Sequence, residues 1–427
     1  MDSKITTLLY AQEMDADDEL ARYRDEFVFD DPGLIYLDGN SLGRLPKRSL
    51  SVVRQTVEEE WGRRLIRSWN EGWLNAPAEL GAKIARLIGA REDEVIVVDS
   101  TSVDLFMLAA AALRARPDRM GIVSDALNFP TDLYILQGLV DLLGSRHTLR
   151  LIPSADGIQV NYQDVETAIH ADTALVCLTH VAFKSAFMYD MARVTDLAHQ
   201  HGALMLWDLS HSVGAVPLRL NDCGVDLAVG CTYKYLNGGP GAPAFLYVRR
   251  DLQDKIIQPI WGWFSHKKPF DFSLDYEPAV GMDRFRLGTP PILSIKAVEP
   301  GLDLFLEAGM DRVRAKSVCQ TEYLITLARE WLLPLGFSLG SPKDADERGS
   351  HVSLRHPEGY RISRAMIESS LPAPRIIPDF RTPDFIRLGI TPLYTTFSEI
   401  HFAMKRIREI VEGKIFEQFS NDRLMAT

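Results

Sequence analysis

Between residues 94 and 248 the chain repeats one pattern: a short run of consecutive apolar side chains, a helical stretch, then another run. The runs are Glu94-Val95-Ile96-Val97-Val98, Gly121-Ile122-Val123, Ala174-Leu175-Val176-Cys177-Leu178, Ala203-Leu204-Met205-Leu206-Trp207, Leu227-Ala228-Val229-Gly230-Cys231 and Ala244-Phe245-Leu246-Tyr247-Val248. None alternates apolar with polar, as a strand with one wet face would. Such strands belong to a sheet covered on both sides, and the helices between them, such as Val103 to Leu113, are the crossovers that parallel neighbours require. The pattern predicts an α/β fold whose large domain is built on a mostly parallel, doubly wound sheet. The last two runs are close enough in the chain to be neighbours. In sheets of this kind small molecules bind beyond the carboxyl ends of the strands, where loops and helix N-termini converge. The residues just after each run are therefore the ones to weigh.

After about residue 300 the pattern changes. A long helical stretch from Gly309 to Leu333, short strands around His351-Val352-Ser353-Leu354 and Phe385-Ile386-Arg387-Leu388, and a final charged helix predict a smaller α+β C-terminal domain. The first residues form an acidic lead-in carrying Asp15, Asp17, Asp18 and Glu19, so the expected division is 1–60, 61–300 and 301–427. Charge narrows the function: 58 acidic against 47 basic side chains leave a net charge of −11. A duplex-binding or membrane-surface protein needs a positive face instead. The longest apolar run, Leu105 to Leu113, is too short to span a bilayer, and Met1-Asp2-Ser3-Lys4 lacks the basic-then-apolar layout of a secretory signal. Cys177, Cys223, Cys231 and Cys319 have no paired spacing and are expected as buried free thiols in a cytosolic, reducing setting.

Ser100-Thr101-Ser102 follows the first run and opens a helix. Thr101 with Asp104 three residues on fits a capping box. The same hydroxyls, with the free N–H groups of a first helical turn, also make a phosphate seat. Asp208 directly follows Trp207, and His211 stands three residues further on. A carboxylate buried there requires a cation, unless it merely caps the next helix. No third and fourth ligand lie near for a metal. His199 and His201, on a polar helix end, are expected at the solvated surface.

The most informative stretch is Cys231-Thr232-Tyr233-Lys234-Tyr235-Leu236-Asn237-Gly238-Gly239-Pro240-Gly241, a lysine ending an apolar strand with three glycines soon after. Lys234 either snorkels to solvent or sits desolvated, where its amine is a nucleophile suited to Schiff-base chemistry. An acid and a lysine at the ends of successive strands suit pyridoxal 5'-phosphate. The lysine meets the aldehyde, the acid meets the ring nitrogen, and a helix N-terminus holds the phosphate.

These residues carry a resemblance. The order of phosphate seat, Asp208 and Lys234 resembles fold-type I, aminotransferase class V-like enzymes that use this cofactor, and over most of its length the chain closely resembles the kynureninases. The likeness lies in Tyr36-Leu37-Asp38-Gly39-Asn40-Ser41-Leu42-Gly43, Ile66-Arg67-Ser68-Trp69-Asn70, Asn128-Phe129-Pro130-Thr131-Asp132, Trp207-Asp208-Leu209-Ser210-His211, the Lys234 stretch, Gly262-Trp263-Phe264 and Arg387-Leu388-Gly389-Ile390-Thr391-Pro392-Leu393-Tyr394.

The resemblance implies hydrolysis of L-kynurenine, and of its 3-hydroxy form, at the Cβ–Cγ bond, giving anthranilate or 3-hydroxyanthranilate and L-alanine. Its place would be tryptophan breakdown or supply of a pyridine nucleotide precursor. By the same resemblance Lys234 carries the cofactor and shuttles the α-proton, Asp208 pairs with the ring nitrogen, and His211 supports it. Phe129 stacks on the ring, with Pro130, Thr131 and Asp132 in the same loop. Ser100, Thr101 and Tyr233 bind the phosphate, Thr179 lies under the ring, and Tyr233 carries protons in later steps. Arg387 grips the substrate α-carboxylate, a bidentate task suited to guanidinium. Ser41, Trp69 and Asn70 wall the aryl ring, and Trp69 with Thr289 favours the unhydroxylated substrate. Trp263 and Thr289 reach the phosphate of a neighbouring subunit, which implies a homodimer with shared active sites, residues 1–60 packing on the small domain and on the partner. Phe129 and Trp263 as ordinary packing remain alternatives, and the partner that a buried Arg387 needs is either substrate or a protein acid. Competing activities on this scaffold are cysteine desulfurase, class V aminotransferase, or a silent cofactor-binding relative. Tyr233 before the lysine, where desulfurases usually carry His, and Cys319 in a helical pattern weigh against the first.

Overall fold

The computed structural model describes residues 4–368 and 374–422; Met1 to Ser3, part of the stretch weighed as a leader, lie outside them. Each apolar run is a strand. After α1 (Leu8–Ala16), β1 (Leu34–Tyr36), α2 (Lys47–Gln55) and α3 (Ala76–Ile88) come β2 (Val95–Val98), α4 (Thr101–Arg114), β3 (Gly121–Asp125), α5 (Pro130–Leu142), β4 (Thr148–Ile152) and α6 (Tyr162–Ala168). β5 (Thr173–Thr179), α7 (Met191–Gln200), β6 (Leu204–Asp208), β7 (Leu227–Cys231) and β8 (Ala244–Val248) follow. The strands from β2 to β8 form one sheet in the order β2-β8-β7-β6-β5-β3-β4. From β4 to β7 neighbours are parallel, and β8 is antiparallel to both β7 and β2. β2 thus points the same way as β7, and the carboxyl ends of β2, β3, β5, β6 and β7 share one edge. The run criterion misses β4, an edge strand with Arg150 at its centre and only Ile152 buried.

Successive side chains point to opposite faces of a sheet, and here both faces are dry. Val95, Val97, Val176, Leu178, Met205 and Trp207 enter a core shared with α3, α7 and α8 (Ile292–Ala308). Ile96, Val98, Leu175, Cys177, Leu204 and Leu206 enter another, against α4 and α5. Burial of each such large side chain stabilises the fold by roughly 1.5–3 kcal/mol, which is why the polar positions of β5 and β6 are confined to their ends, at Thr173, Thr179 and Asp208.

A further core lies among α9 (Met310–Trp331), β9 (Ser338–Leu339), β10 (His351–Arg355), α10 (Gly359–Glu368), β11 (Arg375–Ile377), β12 (Asp379–Arg381), β13 (Phe385–Gly389) and α11 (Phe397–Glu412). β12, β13, β10 and β9 make an antiparallel sheet in that order, and β1 pairs in parallel with β11. The expected break at residue 300 falls inside α8, whose Ile295, Val298, Leu302 and Phe305 belong to the first core. The turn between α8 and α9 comes instead at Gly309, whose φ of +82° suits glycine. The acidic lead-in is tied to this unit. Ala11, Ile35 and Leu37 join its core, Asp15 accepts from the Phe397 and Ser398 N–H groups at 2.6 and 3.0 Å, and Asp18 pairs with Lys316 at 2.6 Å.

Two surface expectations change. All four cysteines are free, but Cys319 is exposed on α9 and Cys223 only half-buried. His199 is not simply solvated: its Nε2 lies 2.8 Å from the buried Asp226, which also holds Arg249 at 2.9 Å. Among the described residues no helix is long and apolar enough to cross a membrane.

Candidate active site

The shared strand edge collects the residues singled out at the ends of the runs. β6 ends on Asp208, in register with Thr179 at the end of β5. The chain after β7 turns through Lys234, that after β3 through Phe129, and that after β2 through Ser100.

The Lys234 turn is gripped from two sides. Asn237 N–H donates to the Lys234 carbonyl and Gly238 N–H to that of Thr232, each at 2.9 Å, with Asn237 in the left-handed region at φ +59°. The Gly43 N–H donates to the Tyr233 carbonyl at 2.9 Å. A Cβ at Gly43 would lie 2.3 Å from the Lys234 carbonyl oxygen. Glycine is needed there for the backbones to meet. The half-buried Lys234 Nζ is 2.9 Å from His211 Nε2 and 5.7 Å from the Phe129 ring centre.

Asp208 is buried, and its Oδ1 accepts from both the N–H (2.8 Å) and the hydroxyl (2.6 Å) of Ser210. It caps no helix, and no cation pairs with it among the described residues. Burial raises its pKa, with Lys234 and the Ser210 bonds opposing. Asp132, in the first turn of α5 and also buried, faces it; burial and the Asp208 charge push the Asp132 carboxyl well up. A buried acid with no cation suits a ring nitrogen that carries a positive charge. Phe129, the residue before α5, keeps 38% of its surface exposed, and its ring lies nearly perpendicular to that of Phe183, the centres 5.1 Å apart. Burial beside Lys234 and Arg387 pushes the His211 imidazole well below its ordinary value, so it is neutral.

The helix cap is Ser100 and not Thr101: its Oγ accepts from Val103 N–H at 3.5 Å. Asp104 therefore sits one position too deep for a capping box. It is buried, and both its carboxylate oxygens lack partners. The Thr101 and Ser102 N–H groups have no partner within the helix, and with the Thr101 hydroxyl they leave an anion seat at the same edge.

Arg387 comes from β13 across the cleft and is 1% exposed. Its partner is a protein acid: Nη2 forms an ion pair with Asp379 and donates to Ser41 Oγ at 2.6 Å, while Nη1 donates to the Phe183 carbonyl at 2.6 Å. Asp38 lies 3.8 Å away, its pKa raised to about 6 by burial and the charge of Asp379. Among the described residues, only the Nε of this guanidinium is left without a partner.

Ser41, expected in the aryl wall, thus sits on the guanidinium. Trp69 is half-buried against Trp73 and Phe264, and Asn70 is exposed. Trp263, 41% exposed, stands among Phe264, Phe270 and Phe272, and Thr289 is exposed. Among the described residues no hydrogen bond or ring contact joins either to Lys234. Sequence reasoning missed Asp379 and His351, which have no motif around them, and gave Asp38 no role. Among the described residues no three His, Cys, Asp or Glu side chains are grouped to hold a metal ion.

Comparison with known proteins bears on this arrangement. A family model described as the kynureninase C-terminal domain matches residues 313–407. The chain is 45% identical to kynureninase of Pseudomonas fluorescens over 410 residues, 95% of each chain. It is 44% identical to kynureninase of Burkholderia mallei over 404 residues, 93% of this chain and 94% of that one. Among solved structures, an apo cysteine desulfurase from Thermococcus onnurineus NA1 superposes with a TM-score of 0.76 at 20% identity, covering 94% of this chain and 98% of that one. A C-DES variant with glycine covalently linked to its PLP cofactor gives 0.74 at 20% identity, covering 88% and 96%. These last two likenesses carry the fold alone.

Proposed function

The chain belongs to the kynureninase family, and on that premise we propose that it hydrolyses L-kynurenine, and 3-hydroxy-L-kynurenine as a second substrate, to anthranilate or 3-hydroxyanthranilate and L-alanine, with pyridoxal 5'-phosphate on Lys234. The observation that carries the reading is a half-buried lysine, a buried acid without a cation and a bare aromatic face at one strand edge, with a buried guanidinium opposite.

When bound, pyridoxal phosphate supplies an electron sink conjugated to the substrate α-carbon, which makes Cα–H and then Cβ–Cγ breakable. The residues do the rest. Lys234 Nζ takes the α-proton and later returns one, with His211 Nε2 holding it in place. Asp208, its Oδ1 fixed by Ser210, would hold its carboxylate at the ring nitrogen, with the upward shift of Asp132 opposing a second charge beside it. Phe129 would cover one ring face; it caps α5, whose first turn, and not the loop expected for them, holds Pro130 and Thr131, and Thr179 would lie on the other side. Ser100, Thr101 and Tyr233 would hold the phosphate at the positive end of α4. Arg387 offers Nε to the substrate carboxylate. The Tyr233 phenol, its pKa raised by burial, stays protonated and hands a proton to the leaving side.

A homodimer belongs to this reading. Trp261, Trp263, Phe270, Phe272, Leu274 and Val280 are all exposed apolar side chains of one segment, and the rings of Trp263, Phe270 and Phe272 are in contact; such a surface suits burial against a partner, and Trp263 and Thr289 would enter the partner's site from it. The four free cysteines support a cytosolic setting, and tryptophan catabolism is the fitting context. The test is purified protein with L-kynurenine, followed by anthranilate fluorescence. Release by the native chain and none by Lys234→Ala is expected. Cleavage at the native rate by that variant would overturn the role of Lys234, and amine transfer to an added keto acid without anthranilate would make it an aminotransferase.

A further inference from the structure

His351 lies on β10 opposite Gly389, and Ser353 opposite Arg387. Side chains two apart on a strand share a face, so His351 and Arg387 look the same way. Arg387 and Ser353 occupy the Phe183 and Lys184 carbonyls on the segment that face packs against. The His351 side chain is 0% exposed; among the described residues neither ring nitrogen has a hydrogen bond of good geometry, and the ring's nearest polar neighbours are the Lys184 and Phe183 backbone. Its ring centre is 5.9 Å from that of His211, whose Nδ1 is buried and unpartnered as well.

The Lys234 amine donates to His211 Nε2 at 2.9 Å. Nε2 is then an acceptor, and the ring hydrogen of a neutral His211 must be on Nδ1. That N–H needs an acceptor, because a buried polar group left unpaired costs roughly 1–3 kcal/mol. His351, also neutral because burial beside Arg387 and Lys234 disfavours its cation, carries one acceptor nitrogen on this neighbouring ring. No direct bond joins the two rings. One water, accepting from the His211 Nδ1–H and donating to the acceptor nitrogen of His351, satisfies those two groups, and the remaining His351 N–H is left for the Lys184 and Phe183 backbone.

We propose that His351 is a positioning residue: through one ordered water it holds His211 in the Nδ1–H tautomer, which keeps Nε2 directed at the Lys234 amine. Its effect on turnover rests on the proposed role of Lys234, whereas the tautomer belongs to the chain itself.

Three measurements test this: ¹⁵N-histidine NMR of the labelled protein, a high-resolution density map of the native chain, and kynurenine kinetics of His351→Leu and His351→Gln. In the native chain His211 should be the Nδ1–H tautomer, with a water between the two rings. In His351→Leu the tautomers should mix and kcat should fall about tenfold, the worth of one neutral hydrogen bond, with KM little changed. His351→Gln still offers an acceptor and should recover most of the loss. An Nε2–H tautomer, an absent water, or a leucine variant with native tautomer and kcat would overturn the proposal. If the leucine variant does not fold, the native spectrum and map decide. Full turnover by Lys234→Ala would sink the functional reading and leave the tautomer result standing.

Discussion

Asp104 sits in the first turns of α4, fully buried, with neither carboxylate oxygen hydrogen-bonded among the described residues. Two effects compete there. The helix dipole favours a negative charge by up to about 2 kcal/mol, while removing an unpaired carboxylate from water costs several. Asp99 adds repulsion. Burial wins, and the pKa stands well above its ordinary 3.8. The native state therefore keeps a proton that the unfolded chain releases. As pH rises above that ordinary value, the native state loses about 1.4 kcal/mol per pH unit until the folded group itself ionises. Asp104→Asn keeps the shape and abolishes the proton uptake. Between pH 5 and pH 7 its stability advantage should grow by up to about 2.7 kcal/mol. With an unfolding entropy of roughly 2.1 cal/mol/K per residue over 427 residues, the Tm difference should widen by about 3 °C. Thermal unfolding of both proteins at pH 5, 6 and 7, at equal concentration and cofactor loading, measures it. A difference that stays constant or narrows with rising pH would refute the reasoning.

Arg387→Ala should raise KM for kynurenine and lower stability by about 3–5 kcal/mol, because Asp379 and Asp38 lose their buried cation; kinetics and denaturant unfolding read the two effects separately. Ser100→Ala should cost about 1 kcal/mol through the lost helix cap, whereas Thr101→Val should leave stability near native and weaken retention of pyridoxal phosphate, measured by titration. Trp263→Ala should loosen both cofactor retention and the dimer, seen by absorbance and sedimentation.

Lys234 and Asp208 were legible because runs apolar at every position mark where buried strands stop, and the chemistry of this fold lies at those stops. β4 escaped because an edge strand carrying Arg150 needs no apolar run. The spacing of Thr101 and Asp104 suggested a capping box, but the helix starts on Ser100 and turns Asp104 inward. Asp379 had one indirect signal: Arg387 within an apolar strand demanded a partner, yet nothing local distinguishes an acid on the short β12 as that partner. The division expected near residue 300 falls within α8, which continues through Pro300 to Ala308. His351 heads a predicted strand without any motif, and its importance comes only from what the fold leaves beside it.

Reduction of the cofactor-saturated protein with borohydride, followed by peptide mass mapping, addresses the covalent attachment itself. A pyridoxyl-phosphate mass on the peptide containing Lys234, and on no other lysine, is the predicted result. An unmodified Lys234, or the added mass at a different lysine, would contradict the account.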